Sequence, residues 1–289
     1  MFWRVFFQCD QDHAADLGTA LEDHASAVSW FESKDPDVWV VEAITTFEPK
    51  VEEVRNIISP ACQTHNLEIP PLTIEELPET DWLEATWRNF PPQQIGRYYV
   101  YGSHTEPKPP EGSVTLEINA ATAFGSGEHE TTTGCLLTLD DLASEGQKFH
   151  KPLDMGCGSG ILGIAIAKTW NISVVAADND PESVRVAMNN AILNHCDALF
   201  SAYVSEGFAA KEVKDNGPYD LIVANILAGP LIEMAKNVSQ NLTPNGKVIL
   251  SGLLNRHRED VVNAYKAHGI RLHSLRTLND WLALLLERR

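Results

Sequence analysis

Residues 153–160 read Leu-Asp-Met-Gly-Cys-Gly-Ser-Gly, a short apolar strand that runs into three glycines at alternate positions. An apolar helix is predicted directly afterwards, from Ile161 to Ala167. Glycine has no Cβ and tolerates positive φ, so a ligand can lie against the bare backbone of such a loop. The helix N-terminus behind the loop offers unpaired N–H groups to polar ligand atoms. The stretch therefore predicts a ligand-binding loop in an α/β sheet.

Strands and helices alternate from this loop to the end of the chain. The alternation predicts a doubly wound, mostly parallel, Rossmann-like sheet of seven strands with helices on both faces. Only a few residues around Asn279 separate the last two strands, whereas a parallel crossover needs a dozen or more, so the last strand is predicted to pair antiparallel. The predicted strands are Leu153–Met155, Val174–Asp178, Leu199–Val204, Asp220–Asn225, Lys247–Ser251, Arg271–Leu275 and Trp281–Glu287.

Residues 1–78 follow the order strand, helix, strand, strand, helix, strand, which is typical of a small α+β, ferredoxin-like domain. One helix is predicted over Asp10–Ala25, with Asp10 as its N-cap, and the other over Pro49–Cys62. A turn is predicted at Lys34–Asp37. The predicted strands are Phe2–Cys9, Val28–Glu32, Val38–Thr46 and Leu72–Leu77.

Residues 79–112 are predicted to connect this domain to a larger domain at 113–289, which carries the glycine loop. The segment contains a short predicted helix at Asp81–Asn89 and a predicted strand at Ile95–Tyr101. The proline-rich stretch 106–112 is typical of an exposed linker. A strand at Val114–Ile118 is then expected to open the larger domain.

The composition is that of a soluble globular protein with a strong acidic excess. The chain has 289 residues, and 22 Lys or Arg against 40 Asp or Glu give a formal net charge of −18. Such a field repels phosphate backbones, so direct nucleic-acid binding is not expected, and it favours basic partners. The five cysteines are widely spaced, which argues against a disulfide framework or a zinc cluster. With no signal-peptide core and no apolar run of membrane length, a cytoplasmic monomer is expected.

Two cofactors are compatible with the glycine loop. Gly158 and Gly160 begin a G-x-G-x-x-G pattern that ends at Gly163, with an acid 20 residues after Gly158, so a dinucleotide such as NAD is possible. Asp154 disfavours NAD, because its carboxylate is expected to lie near a pyrophosphate of like charge. S-adenosyl-L-methionine carries an ammonium and a sulfonium and no phosphate, so a glycine loop flanked by an acid suits it better.

Two further strands end in polar side chains at the edge where the loop lies. Asp178 ends one strand, where its carboxylate can accept hydrogen bonds from both ribose hydroxyls, and Asp180 is expected to cap the following helix at Pro181. Asn225 ends a buried apolar strand, ahead of a turn with Gly229 and Pro230. An asparagine in a turn is often structural, but the shared edge makes Asn225 a candidate site residue.

A threonine-rich segment precedes the first strand of the predicted sheet. Thr132 is a candidate ligand for the polar end of a cofactor, although threonines here can also cap or line the following helix. His129 and Glu130 begin an H-E-x-x-H pattern, but Thr133 occupies the position of the second histidine, so no metal is predicted.

Four segments together make a family resemblance. In chain order they read AFGSGEHETTTGCL, LDMGCGSGILGIAIAK, AADNDPESV and DLIVANILAGPL. They resemble the PrmA family, class I methyltransferases that act on a protein of the large ribosomal subunit. The similarity spans the catalytic half and extends more loosely over the N-terminal domain and the connector. Glu130 departs from the family pattern, which has proline there, and Asn119–Thr122 replaces an Asp-Pro-Gly turn.

The resemblance implies an S-adenosyl-L-methionine-dependent enzyme that trimethylates lysine side chains and an α-amine. It also implies that the N-terminal domain recruits the basic ribosomal protein. Methylation of another protein or of RNA, and NAD-dependent oxidoreduction, are the alternatives. Asn225 is predicted to be catalytic by accepting N–H bonds from the amine, and no metal is expected. The predicted cofactor-binding residues are Thr132, Asp154, Gly156, Gly158, Gly160, Asp178 and Asn225.

Overall fold

The computed structural model describes residues 2–21, 24–33, 38–65, 67–77, 91–103, 105–119 and 130–288. The chain divides into two compact units, Met1–Thr86 and Trp87–Arg289. The predicted turn at 34–37, the predicted helix at 81–89 and His129 lie outside the described residues. No helix in the described part of the chain is long and apolar enough to cross a membrane.

The first unit has the predicted strand–helix order and a four-stranded antiparallel sheet. The spatial order of the strands is β2-β3-β1-β4, so the first strand pairs with both the third and the fourth. Side chains from the sheet and both helices, among them Phe7, Leu17, Val41 and Ile58, form its buried core. Its elements are β1 (Phe2–Cys9), α1 (Gln11–Thr19), β2 (Ala27–Glu32), β3 (Trp39–Thr45), α2 (Val51–Thr64) and β4 (Thr73–Leu77).

Both helices of this unit differ from the prediction at their ends. Helix α1 ends at Thr19, and the Asp10 side chain makes no capping hydrogen bond, although the Asp10 carbonyl accepts one from His13 N–H at 3.2 Å. Helix α2 begins at Val51 and contains Pro60. Local propensity predicts the existence of these helices more accurately than it predicts their termini.

The second unit begins with a three-stranded sheet that corrects one sequence-based prediction. Residues 95–101 do not form one strand; they belong to a hairpin of β5 (Gln93–Ile95) and β6 (Tyr98–Tyr101), to which β7 (Val114–Glu117) adds in parallel. Gly96 makes the reversal possible, because its φ is +56°.

These strands pack with the second unit. The Tyr98 hydroxyl lies 3.0 Å from the Thr169 hydroxyl, and Arg97 forms an ion pair with Asp140. The second unit therefore begins earlier than the predicted residue 113, and strands β5 and β6 of the predicted connector belong to it.

The seven-stranded sheet has the predicted topology. Its order is β10-β9-β8-β11-β12-β14-β13, and β14 pairs antiparallel with both of its neighbours. The strand order reverses at β8: β9 and β10 lie on one side of it and β11 lies on the other, and ligands bind at such a switch point in open α/β sheets. The strands are β8 (Pro152–Met155), β9 (Val174–Asp178), β10 (Phe200–Val204), β11 (Tyr219–Asn225), β12 (Leu242–Leu254), β13 (Ile270–Leu278) and β14 (Trp281–Arg288).

Helices cover both faces of this sheet because its central strands are apolar on both sides. Along β11, Leu221 and Val223 join one buried core, whereas Ile222 and Ala224 join the other. The helices are α3 (Glu130–Ser144), α4 (Ile161–Trp170), α5 (Pro181–Leu193), α6 (Lys211–Asn216), α7 (Ala228–Gln240) and α8 (Arg258–Lys266), with a 3₁₀ turn at Asn255–His257.

Candidate functional site

The glycine loop joins β8 to α4 at the carboxyl edge of the sheet. The N–H groups of Gly156 and Cys157 both donate to the Ala177 carbonyl, at 2.7 and 3.0 Å, which ties the loop to β9. Gly156 has a φ of +70°, and a Cβ on it would lie 2.3 Å from Cγ2 of Ile226. Gly158 has a φ of +51°. Glycine is therefore required here by backbone conformation as well as by space.

Asp178 is bound to this loop from the end of β9. Its Oδ2 accepts from Gly158 N–H at 2.9 Å, and its Oδ1 accepts from Asp180 N–H at 3.0 Å. Each carboxylate oxygen keeps a further lone pair, so the bidentate contact with two hydroxyls remains available. Asp180 caps α5 as predicted, since its side chain accepts from Glu182 N–H and Ser183 N–H.

A pocket opens beside the glycine loop, and Asp154 and Gly160 do not line it. Their positions therefore differ from their predicted role in binding a cofactor. The Asp154 side chain is 1 % exposed, and its Oδ2 accepts from Gly163 N–H in the first turn of α4 at 2.8 Å. A Cβ on Gly160 would lie 2.9 Å from the Cβ of Ala187. Both residues support the loop from behind: Asp154 holds α4, and Gly160 allows α5 to approach closely.

Burial raises the pKa of the Asp154 carboxyl to about 7; the Gly163 N–H opposes this shift, and the charge of Asp178 adds to it. The ordinary value is about 3.9. Because the folded state holds the proton more tightly, the free energy of unfolding should fall as pH rises from about 4 to about 7. The carboxyl is thus partly protonated near neutral pH. Because Asp154 does not line the pocket, the predicted repulsion of a pyrophosphate cannot come from direct contact with this residue.

Asp154→Asn should therefore become more stable relative to the unchanged chain as pH rises from about 4 to about 7, by up to a few kcal/mol in all, because it avoids burying a carboxylate yet retains an acceptor for Gly163. Urea denaturation at a series of pH values would measure this difference. Asp180→Asn is the control. The Glu182 N–H and the Ser183 hydroxyl lower the pKa of Asp180, so this variant should become less stable relative to the unchanged chain as pH rises through the acid range. A difference for Asp154→Asn that does not vary with pH would contradict the assignment.

Asn225 and Thr132 meet across the pocket, although 93 residues separate them in the chain. Asn225 Nδ2 donates to the Thr132 hydroxyl at 3.3 Å, and Thr132 is fully buried in the first turn of α3. The Asn225 Oδ1 is buried and has no hydrogen-bond partner among the described residues. A buried carbonyl oxygen without a partner is costly, so this atom is the expected acceptor for a bound N–H group.

The pocket around these residues has a volume of about 1130 Å³ and opens at the switch point. This exceeds the usual upper size of about 1,000 Å³ for a small-molecule site, so there is space for a nucleoside and for part of a second reactant. Three acids, Asp178, Glu206 and Glu233, and one base, Lys214, line it. The excess of negative charge suits a cationic ligand and disfavours a pyrophosphate.

Much of the pocket wall was not predicted from the sequence, including Lys214, residues of α7 and three further parts near strand ends. These three parts are residues 205–209 after β10, Gly252 within β12, and Trp281 at the start of β14. Gly252 has a φ of +83°, and a Cβ on it would lie 2.2 Å from the Ile226 carbonyl oxygen. Two of these parts have a sequence signal that could have predicted them. Ser205-Glu206-Gly207 follows β10 and Ser251-Gly252 lies near the end of β12, both at the same sheet edge as the glycine loop.

Among the residues that the structure describes, the remaining groups near the site form neither a metal centre nor a thiolate. No cluster of three or more potential metal ligands occurs within the residues that the structure describes. Cys157 lies in the pocket wall, and burial raises the pKa of its thiol well above the usual value. It is therefore a packing residue at neutral pH.

Comparisons with known proteins agree with this geometry. Residues 2–289 match the family model described as ribosomal protein L11 methyltransferase (PrmA). A ribosomal protein L11 methyltransferase from Rhizobium meliloti (strain 1021) is 38% identical over 293 residues, covering 99% of each chain. Another, from Caulobacter sp. (strain K31), is 36% identical over 288 residues, covering 97% of this chain and 95% of the relative.

A solved structure gives the same result. The crystal structure of a ribosomal protein L11 methylase from Lactobacillus delbrueckii subsp. bulgaricus aligns with a TM-score of 0.62 at 26% identity. The alignment covers 69% of this chain and all of the other. With the family model matched over almost the whole length, this chain belongs to the PrmA family of ribosomal protein L11 methyltransferases.

Proposed function

We propose that this chain transfers methyl groups from S-adenosyl-L-methionine to amino groups of ribosomal protein L11, on lysine side chains, the N-terminal α-amine or both. The single observation that carries the proposal is the unpartnered, buried Oδ1 of Asn225, which lies in the same pocket as the glycine loop. An amine that approaches this pocket has N–H groups to donate, and this oxygen accepts one.

The pocket fits the cofactor through three features. The positive-φ glycines 156 and 158 let a ligand lie against backbone, and Asp178 accepts from the ribose hydroxyls. Thr132 and the acidic wall suit a cationic methionine end. When bound, the cofactor supplies an electrophilic methyl on a sulfonium, whose departure as a neutral thioether requires no acid.

The chain's contribution to the reaction is then positioning. Asn225 Oδ1 accepts an N–H bond from the neutral amine and aims the nitrogen lone pair at the methyl, while Thr132 holds the carboxamide through Nδ2. Alignment of this kind removes an entropic barrier of up to about 7–11 kcal/mol. A lysine amine has a pKa of about 10.4 in water, so it must lose its proton on entry, to water or by desolvation. Neither Asp154, behind the loop, nor the Cys157 thiol is suited to act as its base.

The charge distribution supports recruitment of a basic partner by the first unit. Residues 1–86 carry 4 Lys or Arg and 18 Asp or Glu, a net charge of −14, whereas residues 87–289 carry 18 and 22, a net charge of −4. Most of the acidic excess of the chain is thus concentrated in a unit with no described catalytic residue. We assign this unit as a ferredoxin-like substrate-recognition domain, which attracts a basic ribosomal protein by electrostatic steering. We place the enzyme in the cytoplasm, as a monomer.

Radiolabelled S-adenosyl-L-methionine and purified L11 test this function directly. Label should enter L11 as base-stable methylamine, and kcat/KM should fall about tenfold between 0.05 and 0.5 M salt as the charge of the first unit is screened. A short neutral peptide around a modified lysine is the control acceptor, and its kcat/KM should change much less.

Three outcomes would contradict the proposal. They are label in ribosomal RNA rather than in L11, calorimetric binding of NAD in preference to S-adenosyl-L-methionine, and equal salt dependence for L11 and the neutral peptide. The first two would reject the reaction, and the third would reject the recognition domain.

A further inference from the structure

The start of α3 is bound to the turn between β13 and β14 beside the pocket. Asn279 Nδ2 donates to Oε1 of Glu130 at 2.9 Å. Thr131 and Thr132, which follow Glu130, lie in the pocket wall, and so does Trp281, two residues after Asn279. The hydrogen bond therefore joins two segments of the pocket wall that are 149 residues apart in the chain.

The turn that carries Asn279 is short, and its hydrogen bond to Glu130 is a contact outside the hairpin. Leu278 pairs with Trp281, so only two residues connect the strands, and Asn279 has a φ of +51°. A hydrogen bond to a carboxylate is charge-assisted and stronger than a neutral one. Glu130 also lies in the first turn of α3, where the helix dipole favours a negative charge. The carboxylate is thus well placed to hold the turn.

We propose that Glu130 and Asn279 are positioning residues that hold Trp281 in the pocket wall, that Trp281 contacts the incoming amine, and that the two residues so set the affinity for this acceptor. The inference rests on the proposed function, because it deepens the account of the same site. Neither residue lies in the pocket wall itself, so both act through Trp281. The affinity for the acceptor should therefore depend on this bond, whereas the affinity for the cofactor should not, because the buried Thr132 is held independently by Asn225.

A second link between the same helix and the same hairpin offers a matched control. Arg276 Nη2 on β13 donates to Oδ2 of Asp141 on α3 at 2.5 Å. Asp141 lies 11 residues, or about three helical turns, beyond Glu130, and neither it nor Arg276 lies in the pocket wall. If any contact between α3 and the hairpin could hold Trp281 in place, loss of the Arg276–Asp141 contact would raise KM for L11 as much as loss of the Glu130–Asn279 bond.

Steady-state kinetics of the full chain with L11 test the proposal. Glu130→Ala should raise KM for L11 about three- to tenfold and leave kcat and the cofactor dissociation constant within about twofold, since it disturbs only the positioning of the acceptor. Asn279→Ala should also raise KM, and it should add nothing when Glu130 is already Ala, because the bond between the two side chains is then already lost. Glu130→Gln keeps an acceptor oxygen and should restore KM, and Asp141→Ala should not change it.

Equal effects of Glu130→Ala and Asp141→Ala, additive effects of the Glu130 and Asn279 changes, or no rescue by Glu130→Gln would each overturn the proposal. Amide hydrogen exchange provides a readout that needs no activity. Exchange at residues 278–281 should become faster in Glu130→Ala and stay unchanged in Glu130→Gln and Asp141→Ala. Failure of the unchanged chain to methylate L11 would reject the proposed function, whereas unchanged exchange in Glu130→Ala would reject this link.

Discussion

Asn225→Ala should slow methyl transfer to L11 about 100-fold while it changes the dissociation constant of S-adenosyl-L-methionine by no more than about threefold, since a reactant misplaced by about 1 Å loses a factor of this size. The reason is the position of Oδ1, which is buried without a partner and is free to accept an N–H of the amine. Single-turnover kinetics with saturating cofactor would measure the rate, and calorimetry the affinity.

Asn225→Asp separates the two ends of this side chain. It keeps an acceptor oxygen and loses the donor that binds Thr132, so it should retain more activity than Asn225→Ala. If Asn225→Ala lowers the rate and the cofactor affinity by equal factors, Asn225 is only a binding residue, and the positioning account is wrong.

Asp178→Ala should have its main effect on cofactor affinity. Loss of two hydrogen bonds from the ribose hydroxyls to a charged acceptor, each worth about 1.5–3 kcal/mol, should weaken binding at least about 100-fold. The same change removes the acceptor for Gly158 N–H, so the glycine loop also loses an anchor. At saturating cofactor kcat should change little, because the proposed role of Asp178 is to bind the ribose and not the reacting nitrogen. Calorimetric titration measures the affinity directly.

Asp180→Ala is the matched control for Asp178. It removes a carboxylate two residues away that caps α5 and lies outside the pocket wall. It should lower stability to heat and leave cofactor affinity unchanged. Equal losses of affinity in the two variants would show that Asp178 acts through the fold of this loop rather than by contact with the ribose.

The sequence predicted the large sheet well because the relevant signals are local. Apolar strand-length runs alternate with helices, and the two-residue connection at Asn279 leaves the last strand no route but antiparallel pairing. Predictions failed where tertiary contacts decide. The stretch 95–101 reads as one strand, but Gly96 reverses it, and the resulting hairpin joins the second unit through Tyr98 and Thr169.

The same division holds within the candidate site. Gly156, Gly158, Asp178 and Asn225 lie around one pocket, as their places at strand ends and in the loop indicate, and Thr132 lines the same pocket from the first turn of α3. Asp154 differs, although it lies only two residues from Gly156. It pairs within the β8 ladder with Ala176 and Val223, so its side chain lies in the layer between sheet and helix rather than at the edge.

The sequence alone therefore determined the architecture of the sheet, the position of the glycine loop and the candidate side chains for the chemistry, because each is specified by a short run of residues. Only the tertiary structure decided which of those side chains face the ligand and which support them. It also brought Trp281, Gly252 and residues 205–209 to the pocket and left the Asn225 Oδ1 without a partner. The physical reason is that the carboxyl ends of parallel strands, and the amino end of the antiparallel β14, meet at one edge whatever their separation in the chain.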